Sequence, residues 1–202
     1  MPSTAAALER LCDPAAKVSA HYLIDEDSSV MALVPEGARA WHAGLSAWLD
    51  HAGLNDRSIG IELVNPGHEW GYRAFPEPQY RACIELCQAI VGRWPIPPRR
   101  VLGHSDVAPA RKEDPGELFD WPRLAAAGIG LWPKDGEGAP RKVATLQTEL
   151  ARFGYAVPRH GSIDHATELV IAAFQRHFRP ERVDGVADPA TLARLDGLLA
   201  LL

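Results

Sequence analysis

Apolar and polar positions change period several times along this chain, and each change marks an element. Ser3 stands where a helix cap belongs, ahead of a short helix through about Cys12. Val18, Ala20, Tyr22 and Ile24 then alternate with Ser19, His21, Leu23 and Asp25, the two-residue period of a half-buried strand. Asp25-Glu26-Asp27-Ser28-Ser29 turns the chain into Val30-Met31-Ala32-Leu33-Val34, which predicts a hairpin. In Ser58-Ile59-Gly60-Ile61-Glu62-Leu63 the three aliphatic residues share one strand face, and Ser58, Gly60 and Glu62 share the other. Between Glu77 and Trp94 the period lengthens: Tyr80, Cys83, Ile84, Cys87, Ile90, Val91 and Trp94 form the stripe of an amphipathic helix that ends before Pro95. Pro97-Pro98 leads into Arg100-Val101-Leu102, a predicted short strand with His104 just past its end, and Asp120 caps a helix closed by Gly128.

Apolar bulk disappears from Pro133 to Pro140, a stretch rich in turn formers that reads as a linker. Three helical patterns follow, carried by Val143, Leu146, Leu150 and Phe153, by Leu169, Ala173, Phe174 and His177, and by Leu192, Leu195, Leu199 and Leu202. Asp188-Pro189 opens the last with a cap and a first-turn proline. The expected organisation is a larger domain over 1–132, a linker over 133–140 and a three-helix bundle over 141–202, with no internal repeat.

At 202 residues, 47% apolar and 23% charged, the composition is that of a globular protein. A net charge of −5 offers no basic stripe for nucleic acid and no attraction to an acidic membrane surface. No run reaches the ~18 apolar residues of a membrane span, and the start shows no basic region followed by an apolar core. Cys12, Cys83 and Cys87 are odd in number, and the latter two lie four apart on the helix stripe as apolar filler, so neither a disulfide framework nor a cysteine metal site is expected. A monomer in a reducing, cytoplasmic compartment follows; a signal lying upstream would instead place the protein in the periplasm or envelope.

Chemistry concentrates between Gly103 and Gly116, fourteen residues that hold an imidazole, a lysine and several carboxylates, with Pro109 and Pro115 among them. Zinc accepts neutral imidazole and carboxylate oxygen, and a catalytic site keeps one position for water beside three protein ligands. The loop offers two. Nine residues including Pro109 separate His104 from Asp114, so the pair converges, if at all, through an irregular loop. A surface loop whose charges pair with one another is the competing reading. Glu62, on the polar face of its strand, has the chemistry to take a proton from an activated water, and Lys112 that to stabilise an oxyanion. Each is otherwise an ordinary solvated side chain. His21 reads as a satisfied, partly buried histidine. Trp41 and His42, ahead of Ala43-Gly44, suit a loop lining a cleft, with core packing the alternative for Trp41. His51, His68, His160, His165 and His177 read as surface or packing residues.

Four blocks in order resemble the zinc-dependent N-acetylmuramoyl-L-alanine amidases of the type 2 family: 19–24, 40–44, 54–62 and the loop through Pro115-Gly116. After the linker, Leu146-Gln147, Gly154-Tyr155, Phe174-Gln175 and the run 184–191 resemble a peptidoglycan-binding helical module, although Asp164-His165 replaces its usual Asp-Gly turn. The resemblance implies an α/β fold, a mixed central β-sheet flanked by helices, followed by the bundle. It further implies a Zn2+ cofactor held by His104 and Asp114, acid/base work by Glu62, transition-state stabilisation by Lys112, cleft roles for Trp41 and His42, and peptidoglycan or muropeptide as partner. In the family a further zinc histidine stands on a strand before the first helix. That strand is expected upstream of this sequence, which leaves a truncated, non-catalytic peptidoglycan-binding protein as the alternative.

Overall fold

The structure, a computed structural model, describes residues 3–202. The expected junction with an upstream strand falls at Met1 and Pro2, outside the described residues. In chain order the helices and strands are α1 (Thr4–Cys12), β1 (Tyr22–Ile24), β2 (Val30–Ala32), β3 (Ala47–Trp48), β4 (His51–Ala52), β5 (Ile61–Leu63), α2 (Gly67–Trp70), α3 (Glu77–Arg93), α4 (His104–Val107), α5 (Trp121–Ala126), α6 (Val143–Phe153), α7 (His165–Phe178) and α8 (Pro189–Leu199). No helix among the described residues is long and apolar enough to cross a membrane. Packing divides the chain into two compact units, 1–46 with 53–95, and 47–52 with 96–202.

The first unit is built on a mixed sheet in the order β2-β1-β5. β1 runs antiparallel to β2, with Leu23 opposite Met31, and parallel to β5, with Leu23 opposite Glu62. The predicted hairpin forms as Ser28 N–H donates to the Asp25 carbonyl and Asp25 N–H to that of Ser29. Alternation along 18–25 predicts one wet strand face, but both faces of β1 are covered. Leu23 packs with Ala7 and Leu11 of α1, while Ile24 packs with Ala82 and Cys83 of α3. An inner strand between two helices can bury side chains of both parities. Gln79 of α3 is fully buried and donates to the carbonyls of Ile24 and Val64, where β1 and β5 end. Cys83 and Cys87 are free thiols, and Cys83 is buried in this core as filler.

In the second unit β3 and β4 form a two-residue hairpin, whose Leu49 N–H donates to the Gly154 carbonyl at 2.7 Å. Trp48 stands edge-on to Phe153 and Tyr155 and so close to Gly154 that a Cβ there would lie 2.4 Å from the indole. Leu146, Leu150 and Phe153 of α6, Ile171, Phe174 and Phe178 of α7, and Leu192, Leu195 and Leu198 of α8 are buried. Leu198 rather than Leu199 continues the α8 stripe, and Leu202 is 47% exposed because the helix stops at Leu199.

Two expectations are corrected here. Residues 100–102 form no strand: Pro97 and Pro98 lack N–H donors, Pro98–Arg100 is a 3-10 turn, and His104 opens α4 instead of ending a strand. The chain also repeats, a finding against the expected absence of repeats. Gln147 donates to the Ser162 carbonyl and Thr167 Oγ1 and accepts from Gly161 N–H. Gln175 likewise donates to Thr191 Oγ1 and the Val186 carbonyl and accepts from Gly185 N–H. Each turn ends in a capping aspartate, Asp164 or Asp188, bonded to Thr167 or Thr191. Residues 133–140, read as a linker from their composition, lie along α8, with Gly138 N–H on the Pro189 carbonyl and Asp135 paired with Arg194 at 2.7 Å.

Candidate active site

The residues singled out from sequence fall in both units: Trp41, His42 and Glu62 in the first, His104, Lys112 and Asp114 in the second.

In the first unit His21 is fully buried. Gly60 N–H donates to its Nδ1 at 3.0 Å, so Nε2 carries the proton and donates to the Ala38 carbonyl at 3.1 Å. Both ring nitrogens are committed, which fits the expected satisfied histidine and leaves no lone pair for a metal. His42 meets His21 edge-on at 5.4 Å, with its Nε2 3.3 Å from the Ser58 carbonyl. Its ring lies directly over Gly60, where a Cβ would come within 2.2 Å of His42 Cγ. Glycine is required there by close approach. Trp41 is 47% exposed while its backbone is fixed by reciprocal bonds with Ser19, so it is not a core residue. Glu62 sits at the centre of β5, half-buried, on the face opposite Ile61 and Leu63.

In the second unit the irregular loop does bring its ends together. Ser105 N–H donates to the Asp114 carbonyl at 3.0 Å, and His104 Nδ1 lies 3.0 Å from Asp114 Oδ2. Arg111 and Lys112 N–H both donate to the Ala108 carbonyl, a turn that carries the half-buried Lys112 two residues before Asp114. Burial pushes the Asp114 carboxyl upward, but the bond to and charge of His104, with the Lys112 ammonium nearby, outweigh it and hold the group below its ordinary range. Two ligands of tetrahedral zinc at ~2.0–2.2 Å stand roughly 3.4 Å apart, so the His104–Asp114 spacing and donor types fit such an ion. No cluster of three or more His, Cys, Asp or Glu residues able to hold a metal occurs among the described residues.

Sequence reasoning passed over Asp106. Its buried carboxylate accepts from Gly103 N–H at 2.7 Å and Tyr155 O–H at 2.5 Å, and lies 2.7 Å from His177 Nδ1. Burial, then the Asp106 charge, push the Tyr155 phenol well above its usual range. Only the place of His177 on the apolar stripe of α7 hinted at this cluster.

These features define the class: one unit built on a mixed α/β sheet, and a second that carries both a His/Asp loop suited to a metal and three packed helices. Residues 1–117 match the family described as N-acetylmuramoyl-L-alanine amidase and residues 140–195 the peptidoglycan binding domain, and the chain belongs to the N-acetylmuramoyl-L-alanine amidase family. The resemblance read from its motifs and the mixed-sheet fold it implied both hold. It is similar to the N-acetylmuramoyl-L-alanine amidase AmiD of Escherichia coli, 40% identical over 91% of this chain and 74% of AmiD. The solved complex of that amidase with anhydro-N-acetylmuramic acid-L-Ala-D-γ-Glu-L-Lys superposes with a TM-score of 0.88 at 38% identity, over 98% of this chain and 85% of the other. AmpDh3 from Pseudomonas aeruginosa in complex with anhydromuramic pentapeptide gives a TM-score of 0.87 at 35% identity, over 98% and 88% of the two chains.

Proposed function

We propose that this chain hydrolyses the amide that joins N-acetylmuramic acid to the L-alanine of the stem peptide, in peptidoglycan or in soluble muropeptides. The observation that carries the reading is the pairing of His104 with Asp114 at 3.0 Å, in a chain 40% identical to an amidase over 91% of its length. His104 Nδ1 and Asp114 Oδ2 are the atoms suited to hold zinc, which when bound supplies Lewis acidity to the amide carbonyl and to a water. Glu62 takes the proton of the attacking water as the C–O bond forms. It returns that proton to the leaving amine as the C–N bond breaks, freeing a muramic carboxylic acid and a peptide with an L-alanine amino terminus. Lys112 donates to the oxyanion at the former carbonyl oxygen. Trp41 and His42 contact substrate, the exposed indole offering a flat face to sugar or peptide. Residues 1–132 act as the amidase domain, 133–140 as its connection, and 141–202 as the module that holds the wall.

Metal analysis and stem-peptide release from muropeptide test this together. Zinc near one equivalent is expected, with Glu62→Ala lowering release by about 10²- to 10⁴-fold at unchanged zinc content. Lys112→Ala is expected to cost about 10²- to 10³-fold, and Asp114→Ala to lose the metal. A zinc-free chain that retains sacculi but releases no peptide would overturn the enzymatic reading in favour of a peptidoglycan-binding protein.

A further inference from the structure

The segment from His104 to Asp114 is held near both of its ends by two consecutive residues of α7. Near the start, His177 Nδ1 lies 2.7 Å from Asp106 Oδ2, two residues beyond His104. Near the end, Arg176 Nη2 donates to Glu113 Oε1 at 2.7 Å, one residue before Asp114. His177 and Asp106 are both buried, so the first contact is enclosed by the fold, whereas Glu113 of the second lies at the surface. The His177 ring stacks on Trp121 with centroids 3.8 Å apart and planes 19° from parallel, and it is 2% exposed. Tyr155, just past α6, adds a third donor to Asp106.

Burying a carboxylate costs several kcal/mol before partners repay it, and apolar side chains of like volume commonly pack as well or better. A cluster of this kind in a well-packed interior therefore does more than fill space: it fixes an orientation, because each of its bonds is directional. The carboxylate orients α4, whose first residue is His104, by accepting from Gly103 N–H as well. Arg176 meanwhile sets the far end at Glu113, beside the Lys112–Asp114 pair.

We infer that α7 is a clamp on the metal loop, with Asp106, His177 and Arg176 as positioning residues that hold His104 and Asp114 at ligating distance. The inference rests on the role proposed above for His104 and Asp114. It makes the helical module part of the catalytic apparatus as well as a holder of the wall, since the helix that supplies the bundle's core also supplies both fastenings.

Amide hydrogen exchange on the full chain tests the clamp without relying on turnover. His177→Phe keeps an aromatic ring against Trp121 and removes the donor to Asp106. Arg176→Met removes the outer pair at a partly exposed position, so it folds even if the buried variant does not. Arg176→Met is expected to speed exchange at the Ser105 and Lys112 amides by about three- to tenfold, and His177→Phe by about a hundredfold. The Leu195 amide in α8 and the Val64 amide in the first unit should keep wild-type rates, and Arg176→Lys should restore most of the protection. In competition with a chelator, zinc affinity should fall in the same order. Unchanged exchange at Ser105 and Lys112, or an equal rise at Leu195, overturns the clamp. A wild-type chain without zinc or turnover overturns the amidase reading and leaves the exchange result interpretable by itself.

Discussion

A histidine's role is decided by what its two nitrogens are given to do. His21 accepts at Nδ1 and donates at Nε2 to backbone groups that are themselves in need of partners, so its neutral tautomer is locked and its work is structural. The His42 ring lies directly over Gly60, which gives a direct test. Gly60→Ala forces the His42 ring to move, and a destabilisation of about 1–3 kcal/mol is expected in urea unfolding. Muropeptide turnover should fall further than stability alone explains, since the moved ring is assigned to substrate contact. Activity and stability both at wild-type levels would show that the ring yields at no cost. The sequence suggested His21 as a satisfied histidine from its strand neighbours, but not which groups satisfy it: Ala38 and Gly60 are 17 and 39 residues away. For the same reason Asp106 drew no notice, as its partners Tyr155 and His177 lie 49 and 71 residues along the chain.

At the level of elements, signals confined to one turn were legible and signals across turns were not. Ser3, Asp120 and Asp188 each accept from the backbone N–H three residues on, as their positions before apolar stripes predicted. The repeat within the bundle escaped because its glutamines reach their glycines over 14 residues in one copy and 10 in the other, a spacing with no fixed period. Each glutamine amide replaces backbone pairing for a whole interhelical turn. Gln175→Ala therefore strands the buried Gly185 N–H and the Asp184 N–H, and about 2–4 kcal/mol of destabilisation is expected by thermal or chemical unfolding. Gln147→Ala should cost a similar amount at the preceding turn. Marked inequality between the two would show that the copies are not equivalent in energy. The predicted strand at 100–102 failed for a local reason, the paired prolines, whose effect on the residues after them was underestimated.

Over the whole molecule, the depressed carboxylates contribute to stability against acid. The bond from Arg93 lowers Glu36 to about 2, against the opposing effect of burial, with Trp94 and Tyr22 also donating to it. Bonds from the Thr167 side chain and backbone lower Asp164 to about 2 as well. A group whose folded-state pKa lies below its unfolded value stabilises the fold above the unfolded value and loses that contribution as pH falls through the folded one. For Glu36 the window runs from 4.5 down to about 2. Glu36→Gln should cost about 1–3 kcal/mol at neutral pH and flatten the stability curve across that window in acid titration of unfolding. A parallel curve with no loss at neutral pH would remove Glu36 from that account. The chain by itself determined what depends on neighbours in sequence: the longer helices and the caps that open several of them, which residue types the 103–116 loop carries, and the family those motifs belong to. Tertiary structure alone decided what depends on distant partners: the closing of His104 on Asp114, the burial of both faces of β1, the repeated glutamine turns and the grip of α7 on the loop. The division is physical. Caps and periodicity act through the adjacent backbone, whereas the orientation of a ligand is set by whichever remote groups the packed core brings within hydrogen-bond reach.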